Sequence, residues 1–170
     1  EIIFTSGATE ANNLAIKGVF EMYASKGDHM ITVETEHKAV LDTCKDLERK
    51  GFELTYLSVT ENGLIDLEEL NRSIRPDTIL VSVMYVNNET GVIQPIKEIA
   101  AMAHQKGVLF MTDATQAVGK IDIDVDDLGI DLLCFSGHKF YGPNGIGVLF
   151  INRRGNEKIK IHLLPFHPPP

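Results

Sequence analysis

Lys139 closes the run Ser-Gly-His-Lys, residues 136–139, and Asp113 opens Asp-Ala-Thr-Gln, residues 113–116; each run follows an apolar segment. A lysine amine attacks a carbonyl and forms a Schiff base only where its surroundings let it shed a proton. A carboxylate at the end of an apolar strand loses hydration and needs a cation or hydrogen-bond donors in return. Near the start of the chain, Ser6, Gly7, Ala8 and Thr9 lead into a helical pattern. Small residues let a backbone close on a ligand, and the free N–H groups of a helix start favour phosphate. A plain N-cap by Ser6 or Thr9 accounts for the same residues. Neither a Walker A sequence nor G-x-G-x-x-G occurs, so the standard nucleotide loops do not explain them. His37 precedes the next helical pattern, where capping, packing and acid–base work all stay open. Asn87 and Asn88 begin Asn-Asn-Glu-Thr-Gly, which reads as a turn or as two amides facing a ligand oxygen. Together, an acid, an amine and a phosphate-friendly helix start suggest pyridoxal phosphate. In that reading Lys139 forms the Schiff base, Asp113 keeps the pyridine nitrogen protonated, and the helix start with nearby hydroxyls holds the phosphate.

The elements that must position these groups alternate. Strand-like runs at 1–6, 29–35, 52–59, 78–86, 108–114, 130–137 and 145–152 are separated by helical patterns at 9–25, 38–50, 66–73 and 95–105. Alternation of this kind predicts βαβ crossovers, a mostly parallel sheet and a three-layer αβα sandwich. Ile96, Ile99, Ala100 and Ala103 repeat at helical spacing after Pro95, whose missing N–H costs nothing at a helix start. Asp113 and Lys139 lie one βα-type excursion apart, enough to bring both side chains to one crevice. Ligands of open α/β sheets bind at the carboxyl ends of the strands, and the candidate residues fall there. Cys44 lies on the apolar stripe of the second helix and Cys134 in an apolar strand, so both read as buried small hydrophobes.

With 170 residues, 44% of them hydrophobic, the chain is long enough for one ordinary core. A formal charge of -8 argues against nucleic acid or an anionic membrane as the main partner. No window approaches the ~18 apolar residues of a membrane span. Two cysteines form neither a disulfide framework nor a metal cluster, so no metal site is expected and a reducing, cytoplasmic compartment is. The chain starts at Glu1 inside a strand pattern, which leaves room for a targeting segment upstream. Residues 155–170 end in three prolines that cannot continue a central strand, and they are expected to form an atypical tail without a site.

The strings FTSGATEANNLAIKG, TEHKAVLD, VNNETG, TDATQAVGK and SGHKFYGPNGIG, in this order, resemble the NifS/IscS-type cysteine desulfurases, fold-type-I pyridoxal phosphate enzymes grouped with the class V aminotransferases. The resemblance implies Lys139 as the lysine that carries the cofactor and moves protons, Asp113 on the pyridinium nitrogen and Gln116 near the ring hydroxyl. It implies His37 stacked on the ring with an acid–base role, and Thr9, Ser136 and His138 on the phosphate with help from the backbone of Ala8 and Thr9. Asn88 is implied at the cofactor or the substrate carboxylate. By the same resemblance the substrate is L-cysteine, the product L-alanine, and the sulfur passes as a persulfide to an enzyme cysteine and on to an iron-sulfur scaffold or other acceptor protein. A homodimer is implied as well. Residues 1–154 then correspond to a partial large domain that lacks the family's N-terminal segment and its C-terminal portion with the persulfide cysteine. The expectation is a fragment inactive alone, with a selenocysteine lyase, another class V enzyme or a non-catalytic truncated product as alternatives. Thr90 and Asn144 depart from the family pattern, away from the implied cofactor contacts.

Overall fold

A computed structural model describes residues 1–153 of the chain. Its elements run β1 (Ile2–Thr5), α1 (Ala8–Tyr23), β2 (His29–Val33), α2 (Lys38–Arg49), β3 (Glu53–Leu57), α3 (Leu67–Ser73) and β4 (Thr78–Ser82). Then follow α4 (Ile96–Gln105), β5 (Leu109–Asp113), β6 (Leu132–Ser136), a 3₁₀ turn (Gly137–Phe140) and β7 (Gly147–Ile151). The strands form one seven-stranded sheet in the order β1-β7-β6-β5-β4-β2-β3. From β3 to β6 neighbours pair in parallel, whereas β7 is antiparallel to both β6 and β1. The expected α/β sandwich is therefore present, with a mixed, mostly parallel sheet.

Strand alternation sorts the core into two layers. Met30, Leu80, Met111, Leu132 and Leu149 face one side, where they pack on Ala15, Ile16 and Val19 of α1 and Val40, Cys44 and Leu47 of α2. Ile31, Val81, Phe110 and Leu133 face the other side, against Leu70 of α3 and Ile96, Ile99 and Ala103 of α4. Both helical layers thus follow from the period of their apolar residues. Their bounds differ from the sequence pattern by at most two residues, most at the carboxyl end of α1, which stops at Tyr23. Beyond Tyr23, for example, the N–H groups of Lys26 and Gly27 both turn back to the Tyr23 carbonyl.

The β5–β6 connection differs from the helical crossovers elsewhere in the sheet, as the four helical patterns of the sequence allow. The crossover between β5 and β6 contains no α-helix; it runs through turns in which Val118, Ile121, Ile123, Val125 and Leu128 pack on the α4 side of the sheet. The reason is local chemistry. Gly119 and Gly129 adopt left-handed backbone, and the Asp124 carboxylate accepts from the Asp126 and Asp127 N–H groups, so it competes with helical pairing. The backbone does this without moving the end points: Asp113 and Cys134 are neighbours in the β5–β6 register.

The beginning of β7 depends on a close approach. A Cβ on Gly147 would collide with the backbone of Gly7, so only glycine lets β7 lie against the loop that starts α1. That contact joins two loops that flank the candidate site.

Candidate cofactor site

A cleft of about 520 Å³ opens along the carboxyl edge of the sheet. The loops after β1, β2, β4, β5 and β6 all contribute to it. Every residue assigned to the cofactor from the sequence lies on its wall: Ala8 and Thr9 from the start of α1, His37 before α2 and Asn88 after β4; Asp113 and Gln116 from the end of β5; Ser136, His138 and Lys139 from β6 and the 3₁₀ turn. Parallel strands place these positions on one edge although they are scattered through the chain.

Asp113 forms the floor. Its side chain is buried, Oδ2 accepts from Asn12 Nδ2 at 2.7 Å, and Oδ1 accepts from the Thr115 N–H at 2.9 Å. Among the described residues it has no cationic partner. Such a carboxylate is held in place by neutral donors and presents a negative charge to whatever enters. Thr115 Oγ1, on the same wall, is buried without a hydrogen-bond partner.

The start of α1 has no side-chain cap, with Gly7 in extended backbone at the N-cap position. Ser6 does not cap it either: its N–H and hydroxyl both donate to Glu10, which lowers the Glu10 carboxyl from its ordinary value. The plain capping reading of this loop is therefore set aside, and Ala8 and Thr9, in the first turn where N–H groups lack helical partners, line the cleft. At His37 the capping reading holds in part. Nδ1 accepts from the Ala39 N–H at 3.1 Å, which assigns the proton of the neutral ring to Nε2 and leaves the exposed ring on the cleft wall.

Two asparagines that looked alike in sequence are separated by the fold. Asn87 is buried and structural: its Oδ1 accepts from the N–H groups of Glu89 and Thr90, and Nδ2 donates to the Thr35 carbonyl. Asn88 is exposed and lines the cleft. Thr90, which departs from the family pattern, only supports this turn through Asn87 Oδ1. Asn144, the other departure, does line the cleft.

Lys139 is exposed and without an ion-pair partner among the described residues. Its turn closes on Gly137, whose N–H donates to the Ile146 carbonyl at 2.8 Å and whose carbonyl accepts from Tyr141 and Gly142. Tyr141 follows in left-handed backbone at φ 66°, which costs a non-glycine residue about 1 kcal/mol. Next to the lysine, Ser136 Oγ and His138 Nδ1 are 2.7 Å apart. Gln116 is tied to Lys120 by a 2.9 Å hydrogen bond from the lysine amine.

Sequence reasoning did not find Asn12, Glu36, Met84 or Thr115. Asn12 had a signal: a polar residue within the apolar stripe of a helix, fully buried in the fold. Glu36 had none, because its partners are remote in sequence. The cysteines behave as expected of buried thiols. Burial pushes Cys44 up to about 12, and burial together with Asp113 pushes Cys134 well above its ordinary value.

An exposed amine, an anion on neutral donors and an uncapped helix start fit the aldehyde, ring nitrogen and phosphate of pyridoxal phosphate. Residues 1–164 match the family described as Aminotransferase class-V. The chain belongs to that family. Among similar proteins, the cysteine desulfurase IscS of Pectobacterium carotovorum is 58% identical over 163 residues. IscS of Escherichia coli K12 is 56% identical over the same length. These alignments cover 96% of this chain and 40% of each relative, so the chain spans well under half their length. Solved structures agree in fold. DndA from Streptomyces lividans superposes with a TM-score of 0.89 at 41% identity, covering 99% of this chain and 48% of that one. SspA in complex with cysteine gives 0.86 at 48% identity, covering 93% and 46%.

Proposed function

We propose that residues 1–154 are the cofactor-binding domain of a pyridoxal phosphate-dependent cysteine desulfurase. Residues 155–170, expected to form a tail without a site, lie outside the described residues. The observation that carries the reading is the placement of Lys139 and Asp113 on one cleft with the uncapped start of α1. The cofactor, once bound, supplies an electron sink for charge developing at the substrate Cα.

The residues have distinct tasks in this proposal. Lys139 Nζ binds the cofactor aldehyde and later takes and returns the proton at the substrate Cα. Asp113 holds a proton on the ring nitrogen, and Gln116 orients the ring hydroxyl. His37 covers one ring face with Nε2–H available as an acid. Thr9, Ser136, His138 and the N–H groups of Ala8 and Thr9 grip the phosphate, and Asn88 contacts the cofactor or the substrate carboxylate. The substrate class follows from the relatives: IscS proteins are named cysteine desulfurases, and the SspA structure holds cysteine. In the reaction L-cysteine and an acceptor thiol give L-alanine and a persulfide; the substrate C–S bond breaks and an S–S bond forms. Neither Cys44 nor Cys134 serves as the acceptor, because both are buried and hold their protons at neutral pH. The acceptor thiol is therefore neither of the two cysteines of this sequence, and a homodimer and a protein that takes the sulfur onward to iron-sulfur assembly are part of the proposal.

The test is chemical. After incubation with pyridoxal phosphate and reduction by borohydride, peptide mapping is expected to find one pyridoxyl group per chain, on Lys139. Labelling spread over surface lysines would overturn the site.

A further inference from the structure

Among the described residues two carboxyl side chains are buried, Asp113 at 6% exposure and Glu36 at 5%. They are close enough for the charge of Asp113 to act on Glu36, and neither has a cationic partner among the described residues. Two like charges in a low-dielectric interior do not both persist, so one carboxyl keeps its proton. The donor sets decide which. Asp113 accepts from Asn12 Nδ2 and from the Thr115 N–H and opens to the cleft. Glu36 has a single donor: its Oε1 accepts from the Met84 N–H at 2.5 Å, and its Oε2 is buried with no partner. The anion with more donors is favoured at Asp113, and the proton goes to Glu36.

We propose that Glu36 is a positioning residue of the cofactor site: a buried carboxylic acid that stays protonated, anchors Met84 beside Asp113 and leaves Asp113 the single negative charge at the cleft floor. Its first half stands on geometry alone, and its second half rests on the cofactor reading above. Met84 lines the cleft, and the next residue donates its N–H to the Asp113 carbonyl at 3.0 Å. The segment that leads to Asn88 is thus pinned on one side by β5 and on the other by Glu36. The groups that face Glu36 are Asp113 from β5, the Met84 N–H after β4, and the Cys44 thiol from α2, which burial pushes up to about 12 and so keeps neutral at ordinary pH. Burial, then the charge of Asp113, raises the Glu36 carboxyl well above its ordinary 4.5, in agreement with the geometry.

The sign of the linkage follows. A glutamate raised in the folded state binds more protons folded than unfolded, so it removes stability as pH climbs above its unfolded value. Glu36→Gln keeps the acceptor for Met84 and cannot ionise. Its melting temperature relative to the wild-type chain is expected to improve steadily from about pH 5 to about pH 8. A difference that stays constant over that range would overturn the protonated acid. Pyridoxal phosphate is expected to bind Glu36→Gln within about twofold of wild type, and Glu36→Ala, which frees Met84, about tenfold more weakly. Equal binding by the alanine variant would overturn the positioning role. Should the wild-type chain itself not bind pyridoxal phosphate, the cofactor reading falls, and the melting series still decides whether Glu36 holds a proton.

Discussion

The two ends of the sheet handle polar groups in opposite ways. At the amino end, His29 is fully buried and each ring nitrogen has a hydroxyl, Thr78 Oγ1 at 2.7 Å and Thr55 Oγ1 at 2.9 Å. Beside it Arg75 binds Asp77 through two nitrogens and Glu53 through a third contact at 2.6 Å, and this holds the Asp77 carboxyl down to about 2. At the carboxyl end, among the described residues, Lys139 has no ion-pair partner, α1 has no side-chain cap, and Glu36 Oε2 and Thr115 Oγ1 are buried without partners. The amino end satisfies its groups internally and contributes to stability. The carboxyl end leaves several groups without internal partners, which costs stability, and in the proposed reading those on the cleft wall are left to the cofactor.

The contrast can be broken most decisively at Lys139. Lys139→Ala is expected to abolish the borohydride-fixed pyridoxyl adduct and to change folding stability by less than about 0.5 kcal/mol, as read by denaturant unfolding. A large stability loss would mean that the lysine is structural after all.

Two glycines sharpen the comparison at matched cost. A Cβ on Gly147 would collide with the Gly7 backbone at the carboxyl end, and one on Gly27 with the Asp77 backbone at the amino end. Each alanine variant is expected to lose about 1–3 kcal/mol. Only Gly147→Ala is expected to weaken pyridoxal phosphate binding in a fluorescence titration of the folded fraction. Equal weakening by Gly27→Ala would show that the two ends are coupled.

The pH response separates the histidines by sign. Burial, then the Arg75 cation, lowers His29 from 6.5, so its contribution is fully present above 6.5 and is lost as pH falls towards its folded value. His104 is raised by its 2.8 Å hydrogen bond to Asp131, so its contribution is present below 6.5 and is lost as pH rises through its folded value. Removing the second by His104→Gln is expected to steepen the acid-side fall in melting temperature. An unchanged slope would mean that the exposed His104 pair contributes nothing.

The smallest effect is expected at Arg75. Arg75→Gln dissolves a partly exposed network and should cost at most about 1 kcal/mol, with pyridoxal phosphate affinity unchanged.

Much of this was legible before folding. The periods of apolar residues identify the strands and four helices, and in a parallel α/β sheet the polar residue just past each strand belongs to one crevice. Ala8, His37, Asn88, Asp113 and Lys139 were recognisable on that basis, because strand direction is implied by helical crossovers. Local chemistry decided points on which periodicity is silent, such as the aspartate-rich turns that connect β5 to β6.

What sequence alone determined is the set of elements and the chemical types at their carboxyl ends. What only the tertiary structure decided is which groups touch. Asn12 reaches Asp113 across 101 residues, Glu36 reaches the Met84 N–H across 48, and the neighbouring amides of Asn87 and Asn88 face different surroundings. The strand order β1-β7-β6-β5-β4-β2-β3 sets those encounters. Periodicity does not, because pairing and register determine which face and which neighbour each side chain meets, and a one-residue slip exchanges the faces.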